Sequence, residues 1–243
     1  MKALILGATG GIGKHVLTRL LEREVTVTVI VRSASRLPES TRENSSLFIV
    51  EMPDGQLKMD LSEHIRGCDA VISCLGHNLT FKGMFQHPRK LCTDTSKQVC
   101  EVIRALAPKQ RIKYIVCSTE GISIPSDAFR KSRFEKFLLW LLEKLLPPHL
   151  DNVLNAKYLR TTSSNPHVAF CAVRPSDLLD ATVSSPFTLH STLQNGILNA
   201  GTTTRANVGE FMADLTTKPD VWAEWKGQFP HILDVPSVKK KAS

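Results

Sequence analysis

Short apolar runs alternate with amphipathic segments along most of this chain of 243 residues. A short continuous apolar run is typical of a buried strand, whereas apolar residues that recur every third or fourth position are typical of one helix face. The runs that predict strands are 4–6, 25–31, 47–50, 69–75, 113–117, 168–173 and 232–233. The segments that predict helices are 14–22, 61–66, 90–107, 126–146, 151–160, 207–216 and 220–226. Strands that alternate with helices predict an α/β fold with a doubly wound parallel sheet, in a single domain over residues 1–243.

The strongly apolar helix at 126–146 is followed by Pro147-Pro148, which we expect to end it. Asp151 then stands where the N-cap of the next helix would lie. The apolar helix has three interpretations, which are core burial, a lid over a ligand or a contact between subunits. After residue 175 the strand signals weaken, and residues 237–243 form a basic tail with three consecutive lysines.

Three glycines follow the first predicted strand in the spacing G-x-x-G-x-x-G. Gly7 allows a sharp turn, Gly10 leaves room for a pyrophosphate because it has no Cβ, and Gly13 allows the helix to pack close to the sheet. The N-terminus of that helix offers free N–H groups and a positive dipole end to phosphates. A strand, a glycine turn and a helix in this order predict dinucleotide binding. The expected binding residues are Gly7, Thr9, Gly10, Gly11, Ile12 and Gly13.

The second predicted strand ends in Arg32-Ser33. In dinucleotide-binding folds an acid at this place holds the ribose 2′-hydroxyl, whereas an arginine accommodates a 2′-phosphate. No acid stands here, so Arg32 and Ser33, with Arg36 as a further candidate, predict NADP(H) rather than NAD(H). Asp54, in a Pro-Asp-Gly sequence, is interpreted equally well as an adenine contact or as a turn residue.

The carboxyl ends of the later strands supply more candidates, because open parallel sheets bind ligands at that edge. Ser118 and Thr119 would face the nicotinamide half of the dinucleotide, or they would cap a turn. His77 is either a catalytic base, since histidine titrates near neutral pH, or a solvated loop residue. The candidates for cofactor contact at this edge are Leu75, Gly76, Ser118 and Pro175.

The composition limits which cellular compartment and which kinds of partner are expected. The six cysteines form no C-x-x-C pair and several lie in apolar runs, which predicts free thiols, a reducing cytoplasmic location and no metal site. The first apolar run is too short for a signal peptide, and no run is long enough to span a membrane. The net charge of +8 comes without a nucleic-acid-binding motif. It therefore favours a basic surface and a phosphate-bearing cofactor over nucleic acid.

Together these motifs resemble the atypical short-chain dehydrogenases/reductases, and more narrowly the NmrA-like and biliverdin-reductase-B-like NAD(P)-binding proteins. The resemblance implies a Rossmann-type fold, bound NADP(H), a small-molecule substrate, and a monomer or homodimer. It also implies that residues 176–235 contribute to the substrate side. The segments that carry it are 7–13, Arg32, 69–76, Ser118, 173–175 and 205–212.

The chain departs from this family in its proton-transfer residues. The usual Tyr-x-x-x-Lys pair is absent, because the residues four positions after Tyr114 and Tyr158 are Ser118 and Thr162. Lys157 is adjacent to Tyr158 and would point to a different side of the helix. The remaining catalytic candidates are Ser118, Thr119 and Lys157.

Two functions follow from the resemblance. The first is an NADPH-dependent oxidoreductase that acts on a small, apolar substrate, with isomerisation by bound cofactor as a variant. The second is an NADP-binding, redox-sensing regulator of the NmrA-like type, which binds the cofactor without turnover. The missing Tyr-x-x-x-Lys pair favours the regulator.

Overall fold

The computed structural model describes residues 1–52, 60–77, 89–127, 132–196 and 201–235. Its strands are β1 Lys2–Leu6, β2 Thr26–Val31, β3 Leu47–Glu51, β4 Ala70–Ser73, β5 Ile112–Cys117, β6 Val168–Pro175, β7 Asp177–Leu179, β8 Phe187–His190, β9 Thr202–Thr204 and β10 His231–Asp234. Its helices are α1 Gly13–Glu22, α2 Glu39–Arg42, α3 Ser62–Ile65, α4 Leu91–Leu106, α5 Arg133–Leu145, α6 Pro147–Thr161, α7 Arg205–Thr217 and α8 Pro219–Trp225.

The central sheet has eight strands in the order β3-β2-β1-β4-β5-β6-β10-β8. Strand β8 runs antiparallel to β10, and the other strand pairs are parallel. Strands β7 and β9 form a separate parallel pair. The chain winds outward from β1 in one direction to β3 and then resumes at β4 on the other side. The predicted doubly wound parallel sheet is thereby confirmed, and its switch point lies between β1 and β4.

Alternating side chains of the buried strands feed two separate cores, because successive residues of a strand point to opposite faces. In β1, Ala3 and Ile5 face the layer that contains α1, α7 and α8. Leu4 and Leu6 face the layer that contains α4 and α6. Helices on both faces explain why these strands are continuous apolar runs rather than alternating ones.

The apolar helix ends at Leu145, before the double proline, as expected. Pro147 and Pro148 also begin α6, because a proline in the first turn loses no hydrogen bond there. The N-cap prediction for α6 is wrong. Asp151 lies inside α6 and is not its N-cap. The preceding helix α5 begins at residue 133, where Ser132 and Glu135 form a capping box that the apolar pattern did not reveal.

The weak strand signals after residue 175 conceal three strands of the described chain, β7, β8 and β9. Strands β7 and β9 have only three residues each, and β9 is Thr-Thr-Thr, so neither produces an apolar run. Strand β10 was expected as two residues and is longer, and it joins the central sheet beside β6. The basic tail lies outside the described residues.

A buried ion pair fixes two loops against β6. Arg174 is fully buried, and its Nη1 donates to Asp127 Oδ2 at 2.9 Å while its Nε donates to the Phe229 carbonyl at 2.7 Å. Asp127 also accepts the backbone N–H groups of Ile124 and Leu193. Burial alone would raise the pKa of Asp127, but Arg174 and these N–H groups hold it below its ordinary value.

We expect Arg174→Met to lower the free energy of unfolding by about 3–5 kcal/mol, because the buried Asp127 carboxylate loses its partner. Urea unfolding followed by circular dichroism measures the change. The double variant Arg174→Met/Asp127→Leu removes both charges and should recover part of the loss. A single variant within ~0.5 kcal/mol of the wild type would contradict the assigned contribution of the pair.

Candidate cofactor and active site

The glycine turn, residues 7–13, folds directly onto the carboxyl end of β4. Gly7 has a φ of +85°, and a Cβ there would lie 2.8 Å from the carbonyl carbon and oxygen of Cys74. A Cβ on Gly13 would collide with the carbonyl oxygen of Gly7. Glycine is therefore required at both positions, for backbone conformation at Gly7 and for close approach at both. The turn and the first residue of α1 lie at the switch point of the sheet.

The start of α1 is open to an anion. Ile12 is the N-cap and provides no side-chain hydrogen bond, and the first turn contains no acidic residue. Gly10 donates its N–H to the Gly7 carbonyl at 3.0 Å, which closes the turn that contains Thr9. An uncapped helix N-terminus beside a turn without bulky side chains fits the pyrophosphate of a dinucleotide.

Arg205 lies across this turn, although the sequence assigned it no site. A Cβ on Gly11 would be 2.8 Å from Arg205 Cδ and 2.9 Å from its Nε. The guanidinium donates to Asp180 Oδ1 at 2.9 Å and lies 3.4 Å from the Leu178 carbonyl oxygen. The separation of 194 positions between Arg205 and Gly11 gives no local pattern, so only the resemblance of segment 205–212 marked this residue.

Helix α7 brings Arg205 to the turn by packing closely on α1. A Cβ on Gly209 would lie 2.5 Å from His15 Cβ, so glycine allows the two helices to approach. Burial lowers the pKa of His15, and the positive charges of Lys14, Arg19 and Arg205 lower it further. The N-terminus of α1 therefore has more positive than negative charge near it, with Asp180 as the opposing charge, and this excess suits phosphate.

The end of β2 carries opposing charges. Arg32 is exposed, and Ser33 Oγ lies 2.9 Å from Ser35 Oγ. Val31 pairs with Glu51 across β2 and β3, and the Glu51 carboxylate accepts the N–H of Ala34. The sequence suggested that the end of β2 has no acidic residue, but the neighbouring strand β3 places Glu51 there. Asp54 lies outside the described residues.

The end of β4 contacts the glycine turn on one side and is open on the other. The Leu75 N–H lies beside Gly7, and the Leu75 carbonyl oxygen is 3.5 Å from the Cys92 sulfur. A Cβ on Gly76 would meet no atom within 4 Å among the described residues. Pro175, at the end of β6, is buried, and its carbonyl accepts the N–H of Glu120 at 3.1 Å.

The three catalytic candidates do not converge. Ser118 donates its backbone N–H to Val173 at 2.8 Å and continues the β5–β6 ladder. The Thr119 hydroxyl accepts the N–H of Gly121 at 3.1 Å, as a turn residue does. Lys157 is exposed, on a different side of α6 from its buried residues Asp151 and Asn155. Among the described contacts, none joins Lys157 to Ser118.

A second buried cluster lies beside Pro175 and was not predicted. Ser176 Oγ donates to Glu120 Oε2 at 2.6 Å and lies 2.8 Å from His231 Nε2. His231 Nδ1 accepts the N–H of Gln194 at 3.2 Å, so the neutral ring carries its proton on Nε2. The ring therefore cannot accept the Ser176 proton, and the cluster fixes the Glu120 carboxylate rather than activating a nucleophile.

A third cluster joins the end of β4 to α4 and α6. Asp151 is buried, and its carboxylate accepts the N–H groups of Cys92 at 2.8 Å and Thr93 at 3.0 Å, which caps α4. Its Oδ2 also lies 2.8 Å from His77 Nε2. Ligand atoms of His77, Cys92 and Asp151 lie within 4.8 Å of one another, the spacing of a metal site. However, burial raises the pKa of the Cys92 thiol, and the Asp151 oxygens already accept several hydrogen bonds.

The cysteines agree with the sequence prediction of free thiols. All six are unpaired, and burial raises the pKa of each thiol. In the described part of the chain, no helix combines the length and the apolar composition needed to cross a bilayer.

Comparisons with known proteins support this picture. A family model described as NAD(P)H-binding matches residues 7–219, whereas no curated protein matches the chain significantly. A Bacillus halodurans protein named as an NAD-dependent epimerase/dehydratase has a TM-score of 0.69 and 17% identity, over 98% of this chain and 95% of its own. A Streptococcus pneumoniae protein named as an NADH-flavin reductase has a TM-score of 0.66 and 18% identity, over 97% and 100%. A short-chain dehydrogenase/reductase from Veillonella parvula, solved with NADP, has a TM-score of 0.65 and 15% identity, over 100% and 98%.

A glycine turn at the switch point of a parallel sheet, followed by an uncapped helix, defines a Rossmann-type dinucleotide-binding protein. The chain belongs to the NAD(P)H-binding family, whose model begins at Gly7 and extends through α7. The NAD(P)-binding family expected from the sequence is thereby confirmed. The three solved structures show that the fold is shared.

We expect Gly10→Val to abolish NADPH binding, because the branched side chain enters the space that the pyrophosphate needs. Gly10→Ala adds one carbon 3.3 Å from the Gly7 carbonyl oxygen and should weaken binding less. Fluorescence titration with NADPH measures both affinities, and circular dichroism checks the fold. A Gly10→Val protein that binds NADPH as tightly as the wild type would place the cofactor elsewhere.

Proposed function

We propose that this protein is an NADPH-dependent oxidoreductase that acts on a small, apolar substrate. The observation that carries the proposal is the glycine turn at the switch point, closed over by Arg205 and followed by the uncapped N-terminus of α1. Two structurally similar proteins are named as a reductase and as a short-chain dehydrogenase/reductase with NADP, which supports the same class of activity.

In this proposal the cofactor spans the carboxyl edge of the sheet. Its pyrophosphate lies against the glycine turn, its adenosine half at Arg32 and Ser33, and its nicotinamide half at the ends of β4, β5 and β6. The residues proposed for that last part are Leu75, Gly76, Ser118 and Pro175. When bound, the cofactor supplies the hydride, and the protein supplies position and charge.

The preference for NADP(H) rests on two opposing charges at the end of β2. The exposed Arg32 guanidinium matches a 2′-phosphate in charge and geometry. The Glu51 carboxylate repels a phosphate, but the N–H of Ala34 already occupies it in part. The proposal is that Arg32 decides the preference and that Glu51 limits it.

We expect Arg32→Ala to weaken NADPH binding about tenfold or more and to leave NADH nearly unchanged, since an arginine–phosphate contact contributes roughly 1.5–3 kcal/mol. Glu51→Gln should strengthen NADPH binding, because it removes a negative charge and retains an acceptor for Ala34. Arg205→Met is the matched control, because loss of a cation over the pyrophosphate should weaken both cofactors equally. Equal losses of NADPH and NADH in Arg32→Ala would count against the proposed preference.

The proposed substrate side is formed by the segment after β6. Glu120 lies there with its carboxylate fixed by Ser176 and His231. Leu179 and Val183 follow β6 and leave apolar side chains 49% and 67% exposed. Exposed apolar groups in the same segment as Ser176, which fixes the Glu120 carboxylate, support a small substrate with an apolar body.

The alternative is an NADP-binding regulator without turnover. The separation of Ser118 from Lys157 and the absence of Tyr-x-x-x-Lys favour it. Helix α5 also leaves Phe134, Phe137 and Trp140 more than half exposed, which would suit a protein partner.

NADPH consumption separates these functions. The purified protein is mixed with NADPH and a panel of quinones, flavins and small carbonyl compounds, and absorbance of the reduced nicotinamide is followed. Consumption that depends on protein and on one substrate class supports the oxidoreductase. Tight binding without consumption by any of them supports the regulator, and substrate conversion without net consumption supports isomerisation.

We expect Tyr158→Phe to leave turnover of the best panel substrate nearly unchanged, because burial raises the pKa of Tyr158 and its hydroxyl contacts Cys100. Ser118→Ala should reduce turnover more, although a neutral hydroxyl contact contributes only about 1 kcal/mol. Both variants should keep NADPH affinity within a few-fold, since neither contacts the glycine turn. A folded, cofactor-binding Tyr158→Phe protein without activity would identify Tyr158 as the acid.

A further inference from the structure

We propose that His77 transfers the proton in this reaction and that Asp151 positions its ring. The inference rests on the proposed oxidoreductase function, because a hydride transfer needs a proton to complete it. It also assigns the proton transfer, a task for which Ser118, Thr119 and Lys157 do not come together.

His77 lies on the carboxyl edge of the sheet. His77 follows β4 by four residues, and the backbone of Cys74 and Leu75 lies against the glycine turn. Strands β4 and β5 are paired, so His77 and Ser118 extend from adjacent strands at the same edge. The site proposed for the nicotinamide lies at this edge.

The start of α6 contacts the residues that follow both strands. Asp151 contacts His77 after β4, and the His149 ring lies 3.5 Å from the Cβ position of Gly121 after β5. Asp151 and Asn155 are four positions apart on the buried side of α6. Residues with this spacing lie on one helix face, as the family's Tyr-x-x-x-Lys pair does. Here a carboxylate that orients a histidine occupies that face.

The His77–Asp151 pair contains an ionised carboxylate. Burial alone would raise the pKa of Asp151, but hydrogen bonds from His77, Thr93 and the α4 backbone hold it below its ordinary value, so the carboxylate is ionised at neutral pH. An ionised Asp151 fixes the proton on His77 Nε2. The His77 side chain is 4% exposed. In the described part of the chain no hydrogen bond reaches its Nδ1, which is the nitrogen that would face a substrate in this proposal.

Within the described ranges, the Asp151 carboxylate from α6 and the Cys92 thiol from α4 lie within 4.8 Å of a His77 ring nitrogen. The Cys92 thiol is neutral, because burial raises its pKa. Capping of α4 requires only the Asp151 carboxylate and the N–H groups of Cys92 and Thr93. His77 is therefore not needed to cap α4. Its substitution tests the proposed proton transfer separately from the contribution of Asp151 to folding.

The proposed step balances for a carbonyl substrate. The carbonyl carbon accepts a hydride, with its electron pair, from reduced cofactor, and the C=O π bond breaks. The carbonyl oxygen takes the proton from Nδ1 of the His77 imidazolium, which gives an alcohol and neutral imidazole. Water then returns a proton to His77, and the ionised Asp151 stabilises the charged ring meanwhile.

The first test measures cofactor affinity and needs no substrate. Oxidised cofactor carries one more positive charge on its nicotinamide than reduced cofactor, so a protonated His77 nearby should disfavour NADP⁺. We expect the ratio of the NADP⁺ and NADPH dissociation constants to fall several-fold as pH rises from about 5.5 to 8.5. His77→Gln should flatten this dependence. Charges near the pyrophosphate, such as His15, affect both cofactors alike and cancel in the ratio.

His167→Gln is the matched control, because that histidine contacts the Pro108 carbonyl before β6, at the opposite edge of the sheet. It should keep the wild-type pH dependence. An unchanged dependence in His77→Gln would overturn the proposal, because His77 would not then face the nicotinamide.

The second test uses the best substrate of the panel. We expect His77→Gln to lower kcat about a hundred- to ten-thousand-fold and to remove the loss of activity at high pH, while NADPH affinity stays within a few-fold. Asp151→Asn should move that loss of activity to lower pH, because the charged ring loses its carboxylate. Because Asp151 also caps α4, the Asp151→Asn variant is first checked for folding. If that variant does not fold, the result for His77→Gln alone decides whether His77 transfers the proton.

The outcomes distinguish this proposal from the proposed function. If no panel substrate is turned over but the affinity ratio still depends on pH and this dependence requires His77, the oxidoreductase function is overturned. The placement of His77 beside the nicotinamide is then retained. Turnover that His77→Gln leaves intact overturns proton transfer by His77. Stoichiometric zinc that is lost in Cys92→Ser would also overturn it, since the cluster would then be a metal site.

Discussion

Close contact between the glycine turn and the carboxyl end of β4 determines where a cofactor can lie on this protein. Gly7 and Gly13 allow the backbone of the turn to fold onto Cys74 and onto itself, at distances that a Cβ would prevent. The N-terminus of α1 is thereby held at the switch point of the sheet, without a side-chain cap of its own. The positive end of the helix is directed to the edge where parallel sheets bind ligands.

The C-terminal part of the chain completes this site. Helix α7 packs on α1 because Gly209 leaves space for His15, and this places Arg205 across Gly11. Strand β10 joins the central sheet beside β6 and brings His231 to Ser176 and Glu120. The proposed substrate side is therefore built on the same sheet as the cofactor site.

Helix α6 connects folding with the proposed chemistry. Asp151 caps α4 and holds His77 at the same time, so one buried carboxylate fixes a helix and orients a titratable ring. Its low pKa depends on those hydrogen bonds, since burial alone would favour the neutral acid. A proton-transfer residue held in this way would replace the tyrosine and lysine that the chain lacks.

The sequence by itself predicted the parallel sheet, the glycine turn and the cofactor class, because each depends on local periodicity or on close glycine spacing. It did not predict strands as short and polar as β7 and β9, which form through pairing with each other. It mistook Asp151 for a local cap, because the helix that Asp151 caps is separated from it by more than forty residues. Arg205, Glu51 and the His77–Asp151 pair reach the site from distant segments. Only the tertiary packing of α6, α7 and β3 decided these contacts, since no sequence spacing records which helix lies on which strand end.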